Sequence, residues 1–101
     1  MKNYEEKPFV IVRCYYAGVW AGNIEERDGE EVLLSEGAIR IWYWDGAASL
    51  SQMANTGVKK PQNCKFAQPT KNKVLLLEAK EIIFATKEAE ESIKGVKSWE
   101  V

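Results

Sequence analysis

Phe9-Val10-Ile11-Val12-Arg13-Cys14-Tyr15-Tyr16 is an unbroken run dominated by β-branched and aromatic residues, which predicts a β-strand. Ala17-Gly18 permits a tight bend, and Val19-Trp20-Ala21-Gly22-Asn23-Ile24 carries the chain back. Arg27-Asp28-Gly29-Glu30 follows, and its Asp-Gly suits the positive φ angles of a two-residue hairpin turn. Glu31-Val32-Leu33-Leu34 should therefore pair antiparallel with the strand before it. Ser35-Glu36-Gly37 bends the chain again into Ala38-Ile39-Arg40-Ile41-Trp42-Tyr43-Trp44. Four strands joined by short turns predict a meander.

Beyond Trp44 the character changes. Ser49 to Gly57 predicts a short helix, with Ser49 as N-cap and Gly57 as its stop. Lys59 to Lys73 reads as loop, broken by Pro61 and Pro69 and carrying a short Lys65-Phe66 element. Val74 to Phe84 is one long β-rich stretch, although Glu78-Ala79-Lys80-Glu81 weakens it. Thr86 is placed to cap a second helix over Lys87 to Lys94, which Gly95 ends. Trp99 is expected to fold back as an anchor. The prediction is an α+β fold, mostly an antiparallel meander with two short helices. Residues 1–8 read as an N-terminal tail and 9–101 as one globular domain.

The chain has 101 residues, a net charge of −1 and no histidine. The charge argues against a generally basic binder of long nucleic acid. Without histidine there is no Ser-His-Asp triad, no Cys-His pair and no imidazole for zinc. Cys14 and Cys64 are far apart and lack metal-site spacing, so no metal and no cofactor is expected. Without a signal peptide they read as buried thiols rather than a disulfide. Carboxylates or lysines alone can still catalyse, so an enzyme is disfavoured rather than excluded. No apolar run is long enough for a membrane span.

Strand alternation assigns the faces. In Ala38–Trp44, Ile39, Ile41 and Tyr43 share one face, and Arg40, Trp42 and Trp44 the other. In the first strand Phe9, Ile11, Arg13 and Tyr15 lie opposite Val10, Val12, Cys14 and Tyr16. Each strand thus carries an arginine among aromatics. One reading is arginines at a sheet rim, covering apolar surface with their stems. The other is a binding surface, since guanidinium pairs with phosphate and aromatic rings stack on bases. From Gly46 to Leu77 there is no acidic residue but there are five lysines, which suits a small anion or simply a solvated loop. The candidate ligand-binding residues are Trp42 and Trp44 for stacking, Arg13, Arg40 and Lys65 for phosphate, and Tyr15 and Tyr16 for either stacking or hydroxyl contacts.

The chain resembles a family of small tailed-phage proteins of unknown function from about Phe9 to Trp99. That family's Arg-Thr-Tyr-Ser-Ala-Gly-Val corresponds to Arg13-Cys14-Tyr15-Tyr16-Ala17-Gly18-Val19. Its Ala-Arg-Arg-Ile-Trp-x-Trp corresponds to Ala38-Ile39-Arg40-Ile41-Trp42-Tyr43-Trp44. Gly46-Ala47-Ala48-Ser49-Leu50-Ser51-Gln52 and Lys65-Phe66 match closely. Glu81-Ile82-Ile83-Phe84-Ala85-Thr86 and Val96-Lys97-Ser98-Trp99 match with changes. Ile39 replaces one arginine of the family's pair, so any role for that side chain is lost here.

In size and β-content the chain is also similar, more loosely, to phage sponges that sequester immune signals of CBASS- and Thoeris-type defences. That similarity implies a homo-oligomer in the cytoplasm of the infected bacterial host, with no membrane association. It would bind a cyclic nucleotide or cyclic ADP-ribose derivative without catalysis. One small domain can hardly enclose such a ligand, but a pocket between two copies can. A protein-interaction module and a single-stranded nucleic-acid binder are the alternatives from other classes.

Overall fold

The computed structural model describes all 101 residues. In chain order its elements are β1 (Lys2–Asn3), β2 (Phe9–Cys14), β3 (Val19–Asp28), β4 (Glu31–Leu34), β5 (Ile39–Tyr43), α1 (Leu50–Thr56), a 3₁₀ turn (Pro61–Asn63), β6 (Lys65–Phe66), β7 (Val74–Leu76), β8 (Ala79–Phe84) and α2 (Lys87–Lys94). All strand pairs are antiparallel, so the fold is the expected α+β class with two short helices.

The ten-residue β3 organises the rest. Its first half pairs with β2 on one side and β5 on the other, and its second half pairs with β4 and β1. Two sheets therefore share this strand, one ordered β6-β5-β3-β2-β8 and the other β1-β3-β4-β7. A register shift between Ile24 and Glu26 lies where β3 passes from one to the other. β2, β3 and β4 follow one another as hairpins, and β5 then returns to the free side of β3's first half. In the β3–β4 hairpin Asp28 pairs with Glu31, which leaves Gly29-Glu30 as the loop. Only Gly29 takes a positive φ there, +59°, so the turn sits one residue later than the Asp-Gly reading places it.

Both helices start and stop at their expected caps. Ser49 Oγ accepts from Gln52 N (3.1 Å), and Gly57 N donates to Met53 O (2.8 Å). Thr86 Oγ1 accepts from Ala89 N (3.1 Å), with Glu88 and Glu90 in the first turn and Lys94 in the last, where they complement the helix dipole. The stretch Val74–Phe84 divides at Leu77-Glu78, because β7 joins one sheet and β8 the other. Two hydrogen bonds fix that corner: Tyr15 N to Glu78 O (3.0 Å) and Ala79 N to Glu30 O (2.9 Å). Lys2 and Asn3 pair with Arg27 and Glu26, so the first residues are tied to the second sheet.

Two apolar cores lie on the two faces of the first sheet. Phe9, Ile11, Ile39, Ile41 and Phe66 pack beneath the helices against Met53, Ala54 and Ile93. Val10, Val12 and Cys14 face the second sheet and meet Ile24, Val32, Leu34 and Leu76. Fully buried side chains such as Phe66, Ile11 and Ile24 each contribute about 1.5–3 kcal/mol. Cys14 and Cys64 are free, buried and in different cores. Trp99 N donates to Phe66 O (2.8 Å), which anchors the C-terminal segment to β6.

Candidate functional site

The two isoleucines of β5 place its arginine. Ile39 and Ile41 enter the helix-side core, so Arg40 between them projects from the other face. Arg40 stands directly opposite Trp20 across the β3–β5 ladder and two residues before Trp42. Its Cζ lies 3.9 Å from the Trp42 ring centroid, a cation–π contact. Gly18 borders the guanidinium, where a Cβ would lie in ordinary contact 3.4 Å from Nη2, so its φ of +81° rather than lack of space calls for glycine. Arg40 forms no salt bridge. Trp42 is 54% exposed and Arg40 is half-buried beside it, so the ring lies open at the surface with the cation partly sheltered against it.

The β2–β3 turn lies at this same end of the sheet. Cys14 N donates to Gly18 O (2.8 Å) and closes the turn, whose tip carries Tyr15 and Tyr16. Their rings stack at 4.5 Å and 8°, and both are exposed, at 66% and 76%. Cys14 sits below. Burial pushes its thiol pKa up, the Arg40 charge pulls it down, and Glu78 raises it further. A thiol raised in this way stays protonated at neutral pH and is a poor nucleophile.

Four of the sequence-designated residues thus gather at one end: Arg40, Trp42, Tyr15 and Tyr16. The others stand apart. Arg13 pairs in register with Val19, which in turn pairs with Ile41, so Arg13 lies on the helix-side face, opposite Arg40. There its Nε donates to Glu81 Oε1 (3.2 Å). Trp44 leaves the Arg40 face because the β5–β6 ladder shifts register between Ile41 and Tyr43. The bulge leaves Trp42 and Tyr43 both exposed and turns Trp44 against the helix-side core, with Nε1 donating to Ala47 O (3.2 Å). Lys65 pairs with Tyr43 and holds its ammonium 5.3 Å from the Trp99 ring centroid. Trp99 walls a groove of about 490 Å³ with Pro61, Cys64 and Lys97. Trp20 and Gly18 escape a strand-by-strand reading, since only the register brings them to Arg40.

Acidic side chains from other elements meet part of the lysine-rich loop. Lys73 Nζ lies 3.0 Å from Glu25 Oε1, and Lys59 Nζ lies 3.8 Å from Glu88 Oε2. Glu25 also accepts from Ser35 Oγ (2.5 Å); that hydrogen bond and Lys73 hold its carboxyl below the usual range. No three Cys, Asp or Glu side chains converge to hold a metal ion. No helix is long and apolar enough to cross a membrane.

Comparison with curated proteins and with solved structures gives no match. A family model described as a domain of unknown function, DUF6948, matches residues 7–93. That span contains β2 to β8, nearly all of α2 and the whole Arg40–Trp42 end of the sheet. The chain belongs to the DUF6948 family.

Proposed function

We propose that this chain binds and sequesters a cyclic nucleotide-type signal without altering it, through the Arg40–Trp42 end of the first sheet. The observation that carries the reading is the half-buried Arg40 guanidinium, which forms no salt bridge and lies on the exposed Trp42 ring. At an exposed site that cation–π contact is worth about 0.5–1 kcal/mol. Hydrogen bonds to a charged phosphate are worth about 1.5–3 kcal/mol each, so a phosphate draws the guanidinium off the ring and uncovers a stacking plane. Tyr15 and Tyr16 offer further aromatic surface at the same end. Resemblance to phage sponges supplies the role, the blocking of a host immune signal of the CBASS or Thoeris kind in the infected cell's cytoplasm.

Arg40 and Trp42 do not line the five best-formed clefts of the single chain. One copy therefore offers a wall, and a second copy of the chain closes it into a pocket. The exposure of Tyr15, Tyr16, Trp42 and Tyr43 together favours one competing reading, a docking surface for another protein. A thermal-shift screen separates the two, using cyclic dinucleotides, cyclic trinucleotides, cyclic ADP-ribose isomers and oligonucleotides. Stabilisation by a cyclic compound, recovered intact after the protein is denatured, is the expected result. Linearised product would make the protein an enzyme, and no stabilisation by any cyclic compound would leave the protein-docking reading.

A further inference from the structure

We infer that the outer face of the second sheet docks a basic amphipathic segment of another protein, with its apolar stripe on Leu33 and Leu75 and its cations on Glu26, Asp28 and Glu31. The register builds this face. Glu26 pairs with Leu33, which pairs with Leu75 on β7, so one row of side chains crosses three strands. Asp28 and Glu31, two residues along on their strands, form the next row on the same side. Val32, Leu34 and Leu76 alternate with these residues and enter the core between the sheets. Leu75 is 53% exposed and Leu77, two residues on, 59%, although both are large apolar residues. A cleft of about 240 Å³ beside Met1, Leu33 and Leu75 is walled by the same three carboxylates.

The charge chooses the occupant. Lys2 and Arg27 are the only basic side chains of these four strands, and they pair with each other opposite Val32, on the inner side. None of Glu26, Asp28 and Glu31 forms a salt bridge. Against the Met1 amine, three carboxylates leave the outer face negative. They do not converge to hold a metal ion, so they suit a row of separate cations. Like charge turns away nucleic acid and anionic membrane. A second copy packed on this face about a two-fold axis would set the carboxylates against themselves. Lysines or arginines beside apolar side chains satisfy both parts of the face. At about 4.8 Å between strands, β3 to β7 spans about 10 Å, the width of one α-helix. Leucine-type residues at i, i+3, i+4 and i+7 would lie over Leu33 and Leu75, with Lys or Arg flanking them toward the carboxylates. Arg40 and Trp42 lie on the β5 part of the chain, which is not a strand of this sheet, so the surface is separate from the proposed ligand site.

The probe is a synthetic helical peptide of leucine and lysine with the leucines at that spacing, titrated into the isotopically labelled full chain and followed by residue-resolved NMR. The amides of Glu26, Asp28, Leu33 and Leu75 should shift together, and binding should weaken as salt is raised. A peptide of the same composition with its leucines spread around the helix should bind more weakly, and one with glutamate for lysine should not bind. Leu75→Ser should raise Kd about tenfold, as expected for losing one leucine from the contact. The triple variant Glu26→Gln, Asp28→Asn, Glu31→Gln should weaken binding and flatten its salt dependence. It leaves every apolar residue in place, so it carries the test if Leu75→Ser does not fold. No binding, equal binding of the spread-leucine peptide, or shifts centred on other residues overturns the proposal. So does unchanged affinity in the folded triple variant. Binding of anionic lipid vesicles at these amides, or a fall in oligomer mass in Leu75→Ser, gives the face to a membrane or a second copy and overturns it as well. Arg40→Ala should bind the peptide as wild type does, so failure here and failure of the ligand site are read separately.

Discussion

Gly57→Ala is predicted to destabilise the fold far more than an ordinary helix-end substitution. Gly57 caps α1 at φ +77° and ψ −151°, a region of backbone space used almost only by glycine. Holding alanine there costs about 1–3 kcal/mol. A Cβ at that position would also overlap the Ser92 side chain of α2. Ser92 Oγ accepts from Val58 N (3.0 Å) and donates to Val58 O (3.4 Å), and displacing it forfeits about 1 kcal/mol. Together the loss is roughly 2–4 kcal/mol, enough to lower Tm by roughly 10–20 °C in a domain of this size. Gly29→Ala is the control, because its φ of +59° meets open space and only the backbone term of about 1–2 kcal/mol applies. Urea unfolding followed by tryptophan fluorescence measures both. If Gly57→Ala were no more harmful than Gly29→Ala, the packing of α1 on α2 through this glycine would be wrong.

The two tryptophans of the β5 region should separate cleanly. Trp44→Ala removes a ring packed on the helix-side core and should cost about 3 kcal/mol or more, whereas exposed Trp42→Ala should cost under about 1 kcal/mol in the same unfolding assay. Glu25 gives a pH signature. Its carboxyl is held below its ordinary value of 4.5, so its contribution is complete above that value and is lost as pH falls through the lowered folded-state pKa. Glu25→Gln should therefore flatten the acid limb of stability against pH, and an unchanged limb would remove Glu25 from that role.

What was legible in the sequence was mostly local. Ser49 and Gly57, then Thr86 and Gly95, mark helix ends because a cap is a contact within a few residues. Period-two alternation put Ile39 and Ile41 on one face and Arg40 on the other, which holds up to Ile41. Register was not legible, because it depends on which distant strand lies alongside. Arg13 and Arg40 both sit among aromatics, yet the β2–β3–β5 register puts them on opposite faces. One bulge after Ile41 reverses Trp44. The division at Leu77-Glu78 is set by backbone bonds to Tyr15 and Glu30, which lie far away in the chain.

The most direct test of the ligand site is a calorimetric titration of wild type, Arg40→Ala and Arg13→Ala with whichever cyclic compound of the screen stabilises the chain most. Arg40→Ala should keep its fold and lose roughly 1.5–3 kcal/mol of binding, about a 10- to 150-fold rise in Kd. Arg13→Ala, whose guanidinium lies on the other face with Glu81, should bind as wild type does. Full affinity in a folded Arg40→Ala, or a loss confined to Arg13→Ala, would contradict the assignment.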